Sequence, residues 1–184
     1  MSSSSDEGRW HDAAIIRMIH QARNGNSAAV HDLVKFARIQ PHYRSSEVTQ
    51  TLAEVLIANG TSEAERRAIE SLQGTFVYSA IEREAAIYRL IGRARLGDTR
   101  AVYDLVEVAR SYSYGHPPKI IEALVDIWVS KTASREHRSA VESLRGTSIF
   151  EEVTKGQRER ALTNLIRAAE SGDHAALQDL VRLA

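Results

Sequence analysis

Cysteine is absent from the 184-residue chain, which removes disulfides, thiolate nucleophiles and cysteine-ligated zinc or iron from consideration together. An excess of charge is missing as well. The 24 Lys and Arg residues balance 24 Asp and Glu, so no global field draws the protein toward nucleic acid, anionic lipid or an acidic substrate. No apolar run approaches the roughly 20 residues of a membrane span. The opening Met-Ser-Ser-Ser-Ser-Asp-Glu-Gly lacks the basic start and apolar stretch of a secretory signal. Residues 1–9 therefore read as a disordered N-terminal tail ahead of a single domain over 10–184, and the cytoplasm is the expected compartment. A serine-rich leader also suits export without cleavage, as an effector.

Catalytic patterns are equally scarce. His11, His20, His31, His42, His116, His137 and His174 are scattered, and no pair has the His-Glu-x-x-His spacing that sets two metal ligands on one helical face. No serine sits in a Gly-x-Ser-x-Gly elbow, and no Walker or dinucleotide glycine pattern occurs. The expectation is a protein without catalytic residues, metal or cofactor.

What the chain does have is a phrase written three times: GNSAAVHDLV at 25–34, GDTRAVYDLV at 97–106 and GDHAALQDLV at 172–181. Sliding the sequence by 72 positions aligns the first two copies without a gap. The same offset brings Ala13-Ala14-Ile15 onto Ala85-Ala86-Ile87 and Glu70-Ser71-Leu72 onto Glu142-Ser143-Leu144. A third copy follows near Arg160, shifted by about three residues around Lys155-Gly156-Gln157. Each long unit divides again, giving a period of about 36 residues, in the range of helical repeat arrays.

Within a period the apolar residues recur at helical spacing, as in Ile15, Ile16, Ile19 and Ala22, then Val30, Leu33, Val34 and Ala37. Two helices per period follow. The glycine of the repeated phrase supplies the left-handed turn that ends the first, and Asn26, Asp98 or Asp173 caps the second. Five hairpins are expected, at 10–24 with 26–39, 46–59 with 61–73, 77–96 with 98–112, 117–131 with 133–145, and 156–171 with 173–184. Pro117 and Pro118 suit the opening turn of a helix. Gly92 and Gly156 suggest close packing or a break in a longer helix. Trp128 falls on Leu56 under the 72-residue offset, which suggests core.

The stretches GDTRAVYDLVEVAR, SEAERRAIESLQG and SREHRSAVESLRG resemble the second helices of HEAT-like repeats, particularly the short bacterial type of phycobilisome-lyase-like proteins. The likeness spans roughly 10–184. It implies an all-α fold, a right-handed α-solenoid of about five HEAT-like hairpins, with the second helices lining a concave surface. Such arrays serve as scaffolds, adaptors, cofactor lyases and DNA-repair enzymes, so the resemblance alone does not choose a function. A lyase-like member would hold a linear tetrapyrrole in its groove.

The leading expectation is a scaffold or adaptor that binds another protein. On the second helices basic residues lie among acidic ones, Lys35 and Arg38 beside Asp32, Arg100 and Arg110 among Asp104 and Glu107, which disfavours a phosphate backbone. Asp32, Asp104 and Asp179 recur at one register position and suggest a structural role, pairing with arginines such as Arg17 and Arg89 or capping backbone groups between repeats. Two corresponding connections, IQPHYRSS at 39–46 and RSYSYGHPP at 110–118, place Tyr43, Tyr112, Tyr114 and His116 in loops. With Arg38 and Arg110 these are the candidate partner-binding residues, tyrosine offering large contact area at low entropic cost; the same rings could instead cover the ends of neighbouring helices. Leu177, Leu180, Val181 and Leu183 near the last helix raise a homodimer through terminal helices.

Overall fold

A computed structural model describes residues 4–39, 46–112, 117–130 and 132–183. Every regular element among them is an α-helix. The chain divides into two compact units, 1–89 and 90–184, and the division falls inside one helix.

The first unit contains α1 (Ser4–Arg23), α2 (Ser27–Ile39), α3 (Ser46–Ile57), α4 (Glu63–Glu70) and most of α5 (Phe76–Arg95). α1 packs on α2 and α3, and α2 on α3 and α4. Its core is a continuous cluster in which Ile15 and Ile19 of α1 meet Val30, Leu33 and Val34 of α2, Leu52 of α3 and Ile69 of α4. The second unit contains the end of α5, then α6 (Thr99–Ser111), α7 (Pro118–Val129), α8 (Arg135–Glu142), α9 (Ser148–Glu170) and α10 (His174–Leu183). There α6 packs on α7 and α8, α7 on α8 and α9, and α9 on α10. Val102, Leu105, Ile120, Leu124, Val141 and Leu144 are fully enclosed.

Displaced by 72 positions, the bounds of α1, α2, α3 and α4 coincide with those of α5, α6, α7 and α8. Local chemistry sets these bounds. Gly97 takes φ 88, a value that side chains with a Cβ avoid, and lets its N–H reach Ala94 O at 3.0 Å while the N–H of Asp98 reaches Arg93 O at 3.1 Å. That pair of bonds closes α5. The Asp98 carboxylate then opens α6 by accepting from the Ala101 N–H at 3.1 Å. The Ala101 N–H, and after it the Arg93 guanidinium, hold the Asp98 carboxyl below its ordinary pKa. Asn26 accepts from Ala29 in the same way, and Asp173 from Ala175 and Ala176.

Two helix starts differ from expectation by more than two residues. α1 begins at Ser4 and α9 at Ser148, ahead of the expected 10 and 156. At α9 the reason is a cap that the apolar periodicity did not reveal: the Thr147 hydroxyl accepts from the Phe150 N–H. The two helical glycines also separate. A Cβ on Gly156 would stand 3.0 Å from Val125 Cγ2, so its bare backbone admits α7, whereas a Cβ on Gly92 would meet nothing within 4 Å. α5 runs unbroken through Gly92, so neither close packing nor a break accounts for it. Trp128 is only half-buried, its ring centroid 5.0 Å from that of Phe150. Among the described residues no helix is long and apolar enough to cross a membrane.

One core position is mismatched. Thr51 is wholly enclosed and its hydroxyl has no hydrogen-bond partner, where the position 72 residues later holds Ala123. An unpaired buried hydroxyl costs about 1–3 kcal/mol. Thr51→Val, which keeps the shape and removes the hydroxyl, should therefore stabilise the protein by about 1 kcal/mol, raising Tm by about 2–4 °C. A marked loss in a denaturant titration would mean that the hydroxyl is paired. In the same assay Gly92→Ala should gain about 0.5–1 kcal/mol and Gly156→Ala less, because its methyl meets Val125; equal gains would show that α7 does not depend on that gap.

Candidate interaction surface

The second helices α2 and α6 each bury one stripe and show another. In α6 the residues at i, i+1, i+4, i+5 and i+8, from Ala101 and Val102 to Ala109, are buried, which turns Arg100, Tyr103, Asp104, Glu107 and Arg110 outward on the opposite face. The charges on this stripe pair within the helix: Arg100 Nε lies 3.2 Å from Asp104 and Arg110 Nη1 2.5 Å from Glu107. The same holds for Lys35 with Asp32 in α2, Arg67 with Glu63 in α4 and Arg182 with Asp179 in α10. Asp32, Asp104 and Asp179 thus bond to cations three or four residues away on their own helices. Among the described residues Asp32 pairs with Lys35 on its own helix and not with the expected Arg17. Solvent-facing pairs of this kind are worth only about 0–1 kcal/mol, yet they leave a surface of alternating sign.

Arg38 and Arg110, expected at a partner interface, are engaged inside their units. Arg38 Nη2 donates to Ser71 O at 3.1 Å and to Ser71 Oγ at 2.7 Å. Arg110 does the same to Ser143, at 2.9 Å to both atoms. Ser71 and Ser143 are the C-caps of α4 and α8, so each guanidinium satisfies a carbonyl left open at a helix end. Tyr112 is the C-cap of α6, half-buried, its N–H donating to Ala109 O at 3.2 Å. Tyr43, Tyr114 and His116 lie outside the described residues.

Tyr103 escaped the sequence reading. It is 47% exposed and lies within the span of the Arg100–Asp104 pair, one turn before Glu107. Its signal was present in the helical period, since it falls one position after the buried Val102 and two before the buried Leu105. Its counterpart 72 positions earlier, His31, is half-buried and hydrogen-bonded through Nδ1 to Ser27 O at 2.8 Å.

Each unit also contains a polar cleft at corresponding positions. In the first, of about 750 Å³, Arg23, Ser27, Glu54, Ser62 and Glu65 line the wall. In the second, of about 400 Å³, Arg95, Asp126, Thr132 and His137 do so. Glu54 accepts from Arg23 Nε at 2.9 Å and from the Tyr88 hydroxyl at 2.8 Å. Asp126 accepts from Arg95 at 2.6 Å and from Arg160. On the opposite wall, Glu65 accepts from the N–H and hydroxyl of Ser62, both at 2.8 Å, while buried His137 bonds through Nε2 to the Thr99 hydroxyl at 2.9 Å. These polar groups are saturated by neighbours, an arrangement that holds helices in register. A wider groove of about 920 Å³ runs between α7 and α9, with Glu122, Glu152, Lys155, Arg160 and Arg167 along it. Among the described residues no group of three or more His, Asp and Glu side chains is placed to hold a metal ion.

The N–H of Ser62, then its hydroxyl, hold the Glu65 carboxyl below its ordinary value of 4.5. A carboxylate with a depressed folded pKa stabilises the fold above the unfolded value and loses that contribution as the pH falls through the folded one. Glu65→Gln should therefore be destabilising at neutral pH and converge on the wild type as the pH drops below 4.5, monitored by thermal unfolding across pH. A gap between the two proteins that persists in acid would assign the effect to packing. No model of a known protein family matches this chain, and no curated protein or solved structure matches it.

Proposed function

We propose that the chain is a right-handed α-solenoid of about five HEAT-like hairpins that arose by duplication of a 72-residue unit, and that it acts as a non-catalytic scaffold or adaptor for another protein. The coincidence of helix bounds at that offset supports the architecture. The observation that carries the function is Tyr103, a half-exposed aromatic in the middle of α6 beside the intrahelical Arg100–Asp104 and Glu107–Arg110 ion pairs. A tyrosine on a helix loses little freedom on contact and offers both a flat apolar face and a hydroxyl, the combination that dominates protein interfaces. Rim charges of both signs suit a polar protein surface. A nucleic-acid backbone needs an unbroken basic stripe to displace counterions, and Lys35 of α2 and the arginines of α6 and α10 are offset by acids on the same helices.

The test is retention from the source lysate on immobilised protein, with and without nuclease. One saturable protein partner, indifferent to nuclease and weakened at least about tenfold by Tyr103→Ala with unchanged Tm, is the expected outcome; Tyr112→Ala should weaken it less. Retention of nucleic acid alone, or of a coloured small molecule, would overturn the adaptor reading in favour of a ligand groove.

A further inference from the structure

The apolar stripe that is closed in α5 and α6 lies open in α9 and α10. Counting in the register of the third copy, Leu162 and Ile166 stand where α5 has Ile87 and Ile91, and Leu177 and Val181 where α6 has Val102 and Val106. Ile87, Ile91, Val102 and Val106 are buried, and α6 is covered by α7 and α8. Their counterparts are 43%, 42%, 44% and 77% exposed, in that order. Contiguous apolar side chains at this spacing are half of a helix–helix interface.

Charge decides what can fill the other half. At its edge, each covered stripe has an arginine, Arg23 or Arg95, and the first helix of the covering hairpin meets it with a carboxylate, Glu54 or Asp126. The corresponding residue beside the open stripe is Glu170. A covering hairpin built like α3 or α7 would set a carboxylate against Glu170, so the occupant must bring a cation to that edge. α10 itself carries one. Arg182 stands at its C-terminal end, 3.4 Å from Asp179, while Glu170 and the capping Asp173 lie at its N-terminal end. A shallow depression between these ends is lined by His174, Leu177, Gln178, Val181 and Arg182.

We propose that this face binds a second copy of the chain, α10 against α10 in antiparallel orientation about a two-fold axis near Gln178. The eight helical steps from His174 to Arg182 span about 12 Å, so the axis places Arg182 of each copy at the Glu170 edge of the other and seats Leu177 against the partner's Val181. An interface of this kind is self-complementary and closes at two copies.

Sedimentation equilibrium of the full chain over a concentration series tests it. The wild type should be a reversible dimer. Val181→Glu should be a monomer with unchanged helical circular dichroism, its site being exposed enough to leave the monomer fold intact. Arg182→Glu should weaken the dimer at least about tenfold, and Glu170→Arg combined with Arg182→Glu should restore it. A wild type that stays monomeric at sub-millimolar concentration, or a dimer indifferent to Val181→Glu, overturns the proposal. Failure of the double exchange to restore what Arg182→Glu removed overturns the antiparallel pairing.

Discussion

A helical hairpin of this size has two apolar flanks and can cover neither by itself, so each second helix depends on the next hairpin to take its stripe out of water. Leu33 in α2 and Leu105 in α6 are fully enclosed, with α4 and α8 lying against those helices. Each such side chain contributes about 1.5–3 kcal/mol by burial, against a conformational entropy cost of similar total size. Removing a covering hairpin would therefore expose a row of residues together. The open face of α9 and α10 is the same constraint seen where no described helix answers it.

Polar contacts decide how the covering hairpin is seated. Glu54 and Asp126 each receive donors from helices on either side in sequence, Arg23 and Tyr88 in one unit, Arg95 and Arg160 in the other. The arginines are partly exposed, so the bonds add little net stability. Their directionality sets the register along the helix axis, which apolar contacts leave loose. The guanidinium bonds of Arg38 to Ser71 and Arg110 to Ser143 do this at the far ends of the second helices, while completing a helix cap at the same time.

The two units keep this frame and differ in the polar and aromatic side chains set on it. His31 is turned into its helix and Tyr103 outward. Glu65 and His137 occupy equivalent buried positions with different partners. Tyr88 gives way to Arg160, changing a neutral donor into a charged one. Substitution at positions that do not carry the packing is how one architecture acquires separate surfaces, and Tyr103 is the clearest case.

Much of the fold was legible in the residues because its punctuation is local. The stop at Gly97 and the start at Asp98 act over three to five residues, and the helical period of Val102, Leu105 and Val106 announces the buried stripe. The hairpin limits followed from these short-range bonds. Less legible were features whose partner lies a full period away: Arg110 looks like a free surface cation until Ser143 is found against it, and Gly156 differs from Gly92 only because Val125 approaches one of them. Tyr103 was masked by lying in a phrase read for its caps and core. Local hydrogen bonding thus let the sequence alone determine where helices begin, end and turn their apolar sides. Only the tertiary structure decided which polar side chains are consumed by packing and which are left on the surface, because that depends on groups some thirty residues distant in the chain.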